Sequence, residues 1–216
     1  MTLLDFARGP ALEWSFYIFV FGIVWRLLGA SLMARSRNLS KSRASGFLGG
    51  ARTVITRSLA RHEFHQAVGY PVAAGYIWHL GLAIVLLLYI PHIEFIKGLT
   101  GLSWAGLPSD LILAIGGVTA AVMLVLFVRR LTHPVLRAIS NADDYISWLV
   151  CFLPLVTGFM AFAHLGPRYE TMLAIHILSF EVFLIWFPFG KLMHAFFFIP
   201  TRAQNGAYFA RRGVRA

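Results

Sequence analysis

Five long apolar segments limit the fold of this chain more than any other feature of its sequence. They run from about residues 12 to 33, 70 to 90, 111 to 128, 145 to 163 and 171 to 199. Each is close to, or longer than, the roughly 20 residues with which a helix crosses the hydrocarbon core of a bilayer. Because that core holds no water for open backbone groups, such a segment crosses it as a helix. The sequence therefore predicts an all-α integral membrane protein with five transmembrane helices.

Composition excludes several other classes of protein. Hydrophobic residues make up 58% of the 216 residues and charged residues only 13%, whereas a soluble domain has about 25% charged residues. Five spans leave no room for a large soluble domain, so we expect a single membrane domain over residues 1–216. The one cysteine, Cys151, excludes an intramolecular disulfide and a cysteine-held metal cluster.

Basic residues are concentrated in the connections on one side of the expected helices. The loop of residues 34–69, the third loop and the tail of residues 200–216 carry Arg35, Arg37, Lys41, Arg43, Arg52, Arg57, Arg61, Arg129, Arg130, Arg137, Arg202, Arg211, Arg212 and Arg215. The other side carries Arg8, Lys97 and Arg168. Because cytoplasmic connections collect Lys and Arg, we expect the N-terminus outside and the C-terminus in the cytoplasm. The net charge of +10 then reflects topology, and no nucleic-acid partner is expected.

The loop of residues 34–69 mixes apolar and basic residues in its second half. Residues 53–65 in particular have the composition of a helix that lies on a membrane surface. Two roles are open for this loop and for the tail: a docking surface for a cytoplasmic subunit, or attachment to anionic membrane lipid.

Two histidines of the fifth segment have a spacing that suits a membrane helix. His176 and His194 are eighteen residues apart, about five turns, so on a continuous helix both project from one face. The rise between them is roughly 27 Å, close to the ~30 Å hydrocarbon core. Such a helix can supply one axial ligand to each of two haems stacked across a membrane. The alternative is a pair of unrelated histidines near the ends of a span.

A second ligand for the inner haem is available on another span. With the expected topology, His79 and His194 come to a similar depth on the cytoplasmic side. Two histidines on facing helices fit a bis-histidine haem. The alternative for His79 is a hydrogen bond to a neighbouring helix, because an intramembrane histidine needs some polar partner.

The outer haem has two candidates for the ligand opposite His176. His92 follows Pro91 at the outer end of the second segment, and His164 closes the fourth segment on the same side. His92 is thirteen residues from His79, about 220° around a regular helix. A kink at Pro91 can re-aim it. One haem instead of two is the remaining alternative.

Four charged residues lie near the expected haems. Glu181, inside the fifth segment, can take quinol protons or bond a propionate or a neighbouring helix. Lys191 can pair with a haem propionate or extend to the interface. Glu94 and Lys97, beside the outer haem's expected position, can border a quinone pocket.

The fifth segment resembles the last span of the gamma subunit of respiratory nitrate reductase. The resemblance rests on the histidine separation and on Phe-Pro-Phe followed by a small residue, a basic residue and Leu before the second histidine. The third loop from Arg129 to Arg137, followed by Ala142-Asp143, and His79-Leu80-Gly81 in the second segment are also similar. The resemblance covers roughly residues 76–198.

The resemblance implies a di-haem cytochrome b subunit in a bacterial or archaeal cytoplasmic membrane. It implies haem b held by His79, His194 and His176, quinone or quinol as substrate, and electron exchange with a cytoplasmic iron–sulfur subunit and catalytic subunit. The family has a histidine where this chain has Tyr89, with His92 three residues later. That departure points towards relatives in sulfur-cycle and heterodisulfide-reductase-like complexes.

A second class of function remains open. The chain can be a haem-free transport or assembly protein in which histidines and Glu181 form a proton path. The sequence shows no internal repeat and no matching pair of broken spans, which many transporters have. If the chain binds haem, the terminal substrate reaction is not expected on it, so we expect an electron-transfer subunit and not a self-sufficient enzyme.

Overall fold

The computed structural model describes residues 1–33, 41–60 and 62–214. Helices provide its regular structure, together with an isolated bridge between Tyr89 and Leu107. The helices are α1 (Leu3–Leu32), α2 (Gly46–Thr56), α3 (His65–Leu88), α4 (Ile90–Thr100), α5 (Ser109–Thr132), α6 (Pro134–Ile139), α7 (Ala142–Phe162), α8 (Tyr169–Trp186) and α9 (His194–Arg211). Short 3-10 turns cover His62–Phe64 and Lys191–Met193.

Five of these helices, α1, α3, α5, α7 and α8, are long and apolar enough to cross a membrane. The protein therefore has the helical content expected of a multi-pass, all-α membrane protein. The first helix begins at Leu3 instead of about residue 12, and it is kinked in the π-helical turn Ala7–Ala11, where Gly9 has the non-helical angles φ −110 and ψ −106. Of the basic residues used to predict topology, Arg35, Arg37, Arg61 and Arg215 lie outside the described residues.

The chain divides into two compact units. The first comprises Met1–Trp14 and Tyr70–Phe183, and the second comprises Ser15–Gly69 and Leu184–Ala216. In the first unit, small residues let the spans approach closely. Gly81 of α3 lies against Thr119 of α5, and a Cβ on Gly116 of α5 would lie 2.9 Å from the ring of Phe159 on α7. Small residues at contacts are how membrane helices pack closely in lipid.

The connection after α5 is held by an ion pair within the same unit. Arg130, in the last turn of α5, lies 3.1 Å from the carboxylate of Asp144, in the first turn of α7. Arg130 also donates to the Ser140 hydroxyl at 2.8 Å. The Asn141 side chain accepts from the Asp144 amide and begins α7. These contacts fix the turn between the two candidate spans α5 and α7.

In the second unit, α2 packs along α9 through backbone contacts. A Cβ on Gly50 would lie 2.8 Å from the carbonyl oxygen of Ala203, and a Cβ on Gly49 would lie equally close to that of Gly206. Helix α2 can therefore approach α9 only because these positions are glycine.

The surface helix was expected over residues 53–65, and that expectation is wrong. The helix occupies Gly46–Thr56. The Ser45 side chain accepts from the amide of Leu48 and caps its first turn. Helix propensity alone does not predict a helix over residues 46–50, because they are rich in glycine. The glycine-rich face packs against α9, and this contact stabilises the helix.

The fifth span is also interrupted. Helix α8 ends at Trp186, residues 187–190 form a turn, and α9 begins only at His194. Pro188 lacks an amide hydrogen for a helical bond, and Gly190 is extended, with φ −98 and ψ −174. The expectation of one continuous helix over residues 171–199 is therefore wrong. The five-turn argument that put His176 on the same face as His194 does not apply.

Candidate functional site

His92 and His176 lie next to each other in the first unit. The centres of their imidazole rings are 6.1 Å apart and the ring planes differ by 14°. His92 belongs to α4 and His176 to α8, and both residues are half-buried. Of the two sequence candidates for the partner of His176, the fold brings His92 to it.

A break between α3 and α4 determines where His92 points. Helix α3 ends at Leu88, Tyr89 is extended with φ −80 and ψ 123, and α4 begins at Ile90. On a continuous helix His92 would face about 220° away from His79. The helix break before Pro91 removes that constraint, as the position of this proline suggested.

Two donors from the following loop satisfy the carbonyls that the break leaves open. In a regular helix the Leu87 carbonyl would bond the amide of residue 91, but Pro91 has no amide hydrogen. The indole Nε1 of Trp104 donates to the Leu87 carbonyl instead, at 2.6 Å. The amide of Leu107 donates to the Leu88 carbonyl at 2.8 Å. The loop before α5 therefore holds the start of α4 in place.

The end of the preceding helix, α3, fixes the tautomer of His92. Its Nδ1 lies 3.0 Å from the Val85 carbonyl, and because a carbonyl only accepts, Nδ1 carries the hydrogen. The lone pair is then on Nε2. Burial lowers the pKa of His92 below its usual value, which favours the neutral ring. A neutral imidazole with a fixed lone pair is the form that binds a metal.

A threonine fixes the tautomer of His176 in the same way. The Thr157 hydroxyl donates to the Leu153 carbonyl at 2.8 Å, so its oxygen is left to accept from Nδ1 of His176 at 3.2 Å. Ser179 lies 3.0 Å from the same hydroxyl oxygen and donates to the His176 carbonyl at 2.7 Å. These hydroxyls hold the ring and leave its lone pair on Nε2.

The two imidazole planes are nearly parallel, a stacked arrangement. Two histidines from different helices can hold a metal only when its other ligands come from elsewhere. Among the described residues, no group of three or more His, Cys, Asp or Glu side chains could hold a metal. A two-histidine donor set suits haem, because the porphyrin supplies the other ligands.

Gly158 makes room for the His176 ring. A Cβ at residue 158 would lie 3.1 Å from Cε1 of His176 and 3.4 Å from Nδ1. Tyr89 is on the other side of the pair, with its ring edge-on to His92 at 5.1 Å between centres. Tyr89 thus packs against the ring of His92.

His79 and His194 belong to different compact units. Each has its ring fixed by its own backbone. His79, on α3, donates from Nδ1 to the Gly75 carbonyl at 2.6 Å. His194, the first residue of α9, donates from Nδ1 to the Lys191 carbonyl at 2.8 Å. Both residues are exposed on the chain, and both carry the lone pair on Nε2.

His164 occupies a turn after α7. Its φ of 53 is in the left-handed region, which histidine adopts more often than most residues. Its ring stacks on Tyr169 with centres 5.1 Å apart, and Nδ1 bonds the Phe162 carbonyl at 3.1 Å. His164 thus makes its contacts within the turn between two spans.

Among the charged candidate residues, Glu181 is buried, whereas Glu94 and Lys97 are exposed. Glu181 is only 3% exposed, and within the described part of the chain its Oε1 has no hydrogen-bond partner. Glu94 and Lys97 form an ion pair at 3.3 Å on α4, the helix that carries His92. Lys191 is exposed in the 3-10 turn before His194.

Sequence reasoning missed Thr157, Ser179, Gly158 and Trp104. Hydroxyl residues inside a span commonly bond their own helix, as Thr157 also does, so composition does not mark them as ligand supports. The position of Ser179, one turn after His176, was the one available signal.

Comparison with known proteins adds no functional description. No family model matches the sequence, and no solved structure matches it. A protein of Nitratidesulfovibrio vulgaris strain Hildenborough, whose name is given only as "Protein", is 29% identical over 217 residues. The match covers 96% of this chain and 94% of that protein, so the similarity extends over nearly the full length of both.

Proposed function

We propose that this chain is a haem b membrane subunit that transfers electrons between the quinone pool and cytoplasmic iron–sulfur and catalytic subunits. The observation that carries the proposal is the pair His92 and His176, with ring centres 6.1 Å apart and planes within 14°. Both rings have Nδ1 bonded to protein, which leaves Nε2 of each to coordinate. The fold thus offers two preorganised imidazoles from two different helices.

His92 and His176 would hold the outer haem. His79 and His194 are the ligands proposed for an inner haem, and their backbone hydrogen bonds fix the tautomer needed for coordination. Haem b, when bound, supplies a one-electron carrier. The residues of this chain would hold it and would orient its ligands through Thr157 and the backbone.

The proposed topology has the N-terminus outside and the C-terminus in the cytoplasm of a bacterial or archaeal cell. The described basic residues of the α2 and α9 regions and of the α5–α6 connection support it, since cytoplasmic connections collect Lys and Arg. The membrane in this proposal is the cytoplasmic one. In this orientation His92 and His176 belong to the outer half.

The quinone site is proposed beside the outer haem. Glu94 and Lys97 lie on the same helix as His92, and we propose that they border this site. Quinol oxidation requires a group that accepts protons, and Glu181, a buried carboxyl on the helix of His176, is the candidate. The same parts serve quinone reduction in the reverse direction. Lys191 is the proposed partner of an inner haem propionate.

A reduced-minus-oxidised visible spectrum of the purified protein, with haem quantified per chain, tests the proposal. Two b-type haems per chain are expected. One haem that survives in His79→Ala but is lost in His92→Ala restricts the site to the outer pair. Absence of haem from a folded, haem-supplemented preparation would contradict the proposed function.

Glu181 also supports a second candidate function, a haem-free protein with an intramembrane proton path. A buried carboxyl oxygen without a partner costs about 1–3 kcal/mol, and in a membrane such groups commonly belong to proton or substrate paths. Proton flux into liposomes that contain the haem-free protein, lost in Glu181→Gln, would support this function. It predicts no bound haem, which separates it from the first.

A further inference from the structure

A cleft lined by four basic side chains lies at one end of the α2–α9 pair. Its lining residues are Lys41, Ser42, Arg43, Arg211 and Arg212. No acidic residue lines it, and residues 41–60 and 194–214 contain no Asp or Glu. All of these residues belong to the second unit. The cleft is therefore a concentration of positive charge with no acidic residue among its lining side chains.

The backbone, not the side chains, brings these cations together. The amide of Arg43 donates to the Arg211 carbonyl at 3.0 Å. Gly213, with φ +76, passes beneath Arg43 so closely that a Cβ would lie 3.1 Å from Cδ of the arginine. Like charges that line one cleft repel each other. A bound anion would remove that repulsion.

The chemistry of the cleft suits a phosphate group. Arginine guanidinium groups bind phosphate oxygens through paired donors, and lysine adds a compact charge. Arg212 is already oriented, because its guanidinium lies 3.5 Å from the centre of the Tyr208 ring. Three arginines and one lysine around one cleft give more donors than a carboxylate needs.

An exposed apolar face begins next to the cleft. Gly46 lies against Nε of Arg211, and the residues that follow it expose large apolar side chains. Phe47 is 83% exposed, Leu48 67% and Ile55 75%. The glycine-rich side of α2 packs on α9, so this apolar side faces away from the pair. Positive charge beside exposed hydrocarbon matches an amphiphile with a phosphate head.

We infer that the cleft binds the phosphate of an anionic phospholipid and that the apolar face of α2 contacts its acyl region. The position of the two helices supports this ligand, since α9 follows the fifth candidate span after a short turn and α2 follows the first. Basic clusters next to membrane spans commonly bind anionic headgroups. The inference does not depend on haem binding.

Native mass spectrometry of the detergent-purified full chain tests the inference, with phosphatidylglycerol and phosphatidylcholine as probes. Lys41→Gln/Arg43→Gln and Arg211→Gln/Arg212→Gln remove charge from opposite walls of the cleft. All four side chains are exposed, so folding should be retained, and melting temperature without lipid checks it. Arg129→Gln/Arg137→Gln removes the same charge at the α5–α6 connection and is the matched control.

The expected result is about tenfold weaker retention of phosphatidylglycerol by either cleft pair than by the control pair. Unaltered protein should retain phosphatidylglycerol over phosphatidylcholine. Equal retention by cleft and control variants overturns the inference and leaves the cleft to an acidic protein partner. A protein that binds inorganic phosphate in the cleft but retains both lipids equally also overturns it, because the ligand is then a free phosphate.

Discussion

Thr157 connects His176 to the backbone of α7: its hydroxyl accepts from Nδ1 of His176 at 3.2 Å and donates to the Leu153 carbonyl at 2.8 Å. Histidines that bind metals usually have a partner of this kind on the other ring nitrogen, which makes the ligand more basic. The arrangement gives the proposed outer haem a residue that tunes it without touching it.

Thr157→Val is expected to raise the midpoint potential of the outer haem. Without the Thr157 oxygen to accept the hydrogen bond from Nδ1, His176 donates less electron density to the iron. The ferric state is then less stable. A hydrogen bond worth about 1 kcal/mol corresponds to roughly 40 mV for one electron. Potentiometric titration measures the shift, and Thr157→Ser, which keeps the hydroxyl, is the control. An unchanged potential with two haems present would mean that Thr157 has only a structural role.

His92→Ala should remove one haem per chain, and His164→Ala should remove none. His92 has its ring centre 6.1 Å from that of His176, while His164 stacks on Tyr169. The double variant His92→Ala/His176→Ala should lose no more haem than either single variant, since both ligands serve one site. Haem quantification per chain measures all four proteins. Loss of haem in His164→Ala alone would reverse the assignment of the ligand.

Gly158→Ala should lower outer haem content without unfolding the protein. The added Cβ would lie 3.1 Å from Cε1 of His176 and would turn the ring. Gly117→Ala is the matched control, because nothing lies within 4 Å of a Cβ there, and alanine has a higher helix propensity than glycine. The absorbance of the reduced haem per chain reports the difference. Equal haem content in both variants would show that the ring tolerates the shift.

Trp104→Phe should selectively weaken the outer site. It removes the indole donor that bonds the Leu87 carbonyl at 2.6 Å, and an open carbonyl costs about 1 kcal/mol or more. The start of α4, and with it His92, is then held less firmly. Trp25→Phe, at a side chain that is 67% exposed, is the control. Outer haem should dissociate faster in detergent from the first variant only.

Gly206→Ala should open the α2–α9 pair. Its Cβ would meet Oγ1 of Thr53 and the Gly49 carbonyl oxygen, and overpacking of this kind destabilises by about 1–3 kcal/mol. Limited proteolysis near α2 should become faster. Gly69→Ala, with open space around its Cβ, should leave the rate unchanged. Equal protection of both variants would mean that the helices separate without loss of order.

Much of the helical architecture follows from the sequence, because long apolar runs have few other solutions in a bilayer. The two wrong predictions, an unbroken fifth span and a surface helix over residues 53–65, arose because local sequence does not show tertiary contacts or chain breaks. Pro188 and Gly190 lie inside an apolar run, so hydropathy alone predicts a continuous helix across residues 187–190. The glycines of α2 read as a loop by propensity, but close contact with α9 stabilises a helix there.

The candidate site was predicted only in outline. Sequence distance left His92 and His164 as alternatives for His176, since the choice depends on the direction of the chain after Leu88. The position of Pro91 suggested a change of direction there, and the extended backbone of Tyr89 makes that change and brings His92 beside His176. The hydroxyl group of Thr157 was beyond prediction, because nothing in the spacing shows which helix faces His176.

The bond from Trp104 to the Leu87 carbonyl has an evolutionary consequence. It exists because Pro91 cannot supply the donor, so a homologue that regains an amide hydrogen at this position no longer needs the indole. Residues 91 and 104 are therefore expected to change together among descendants of one ancestor. Lineages that lost both should have an unbroken helix through this position.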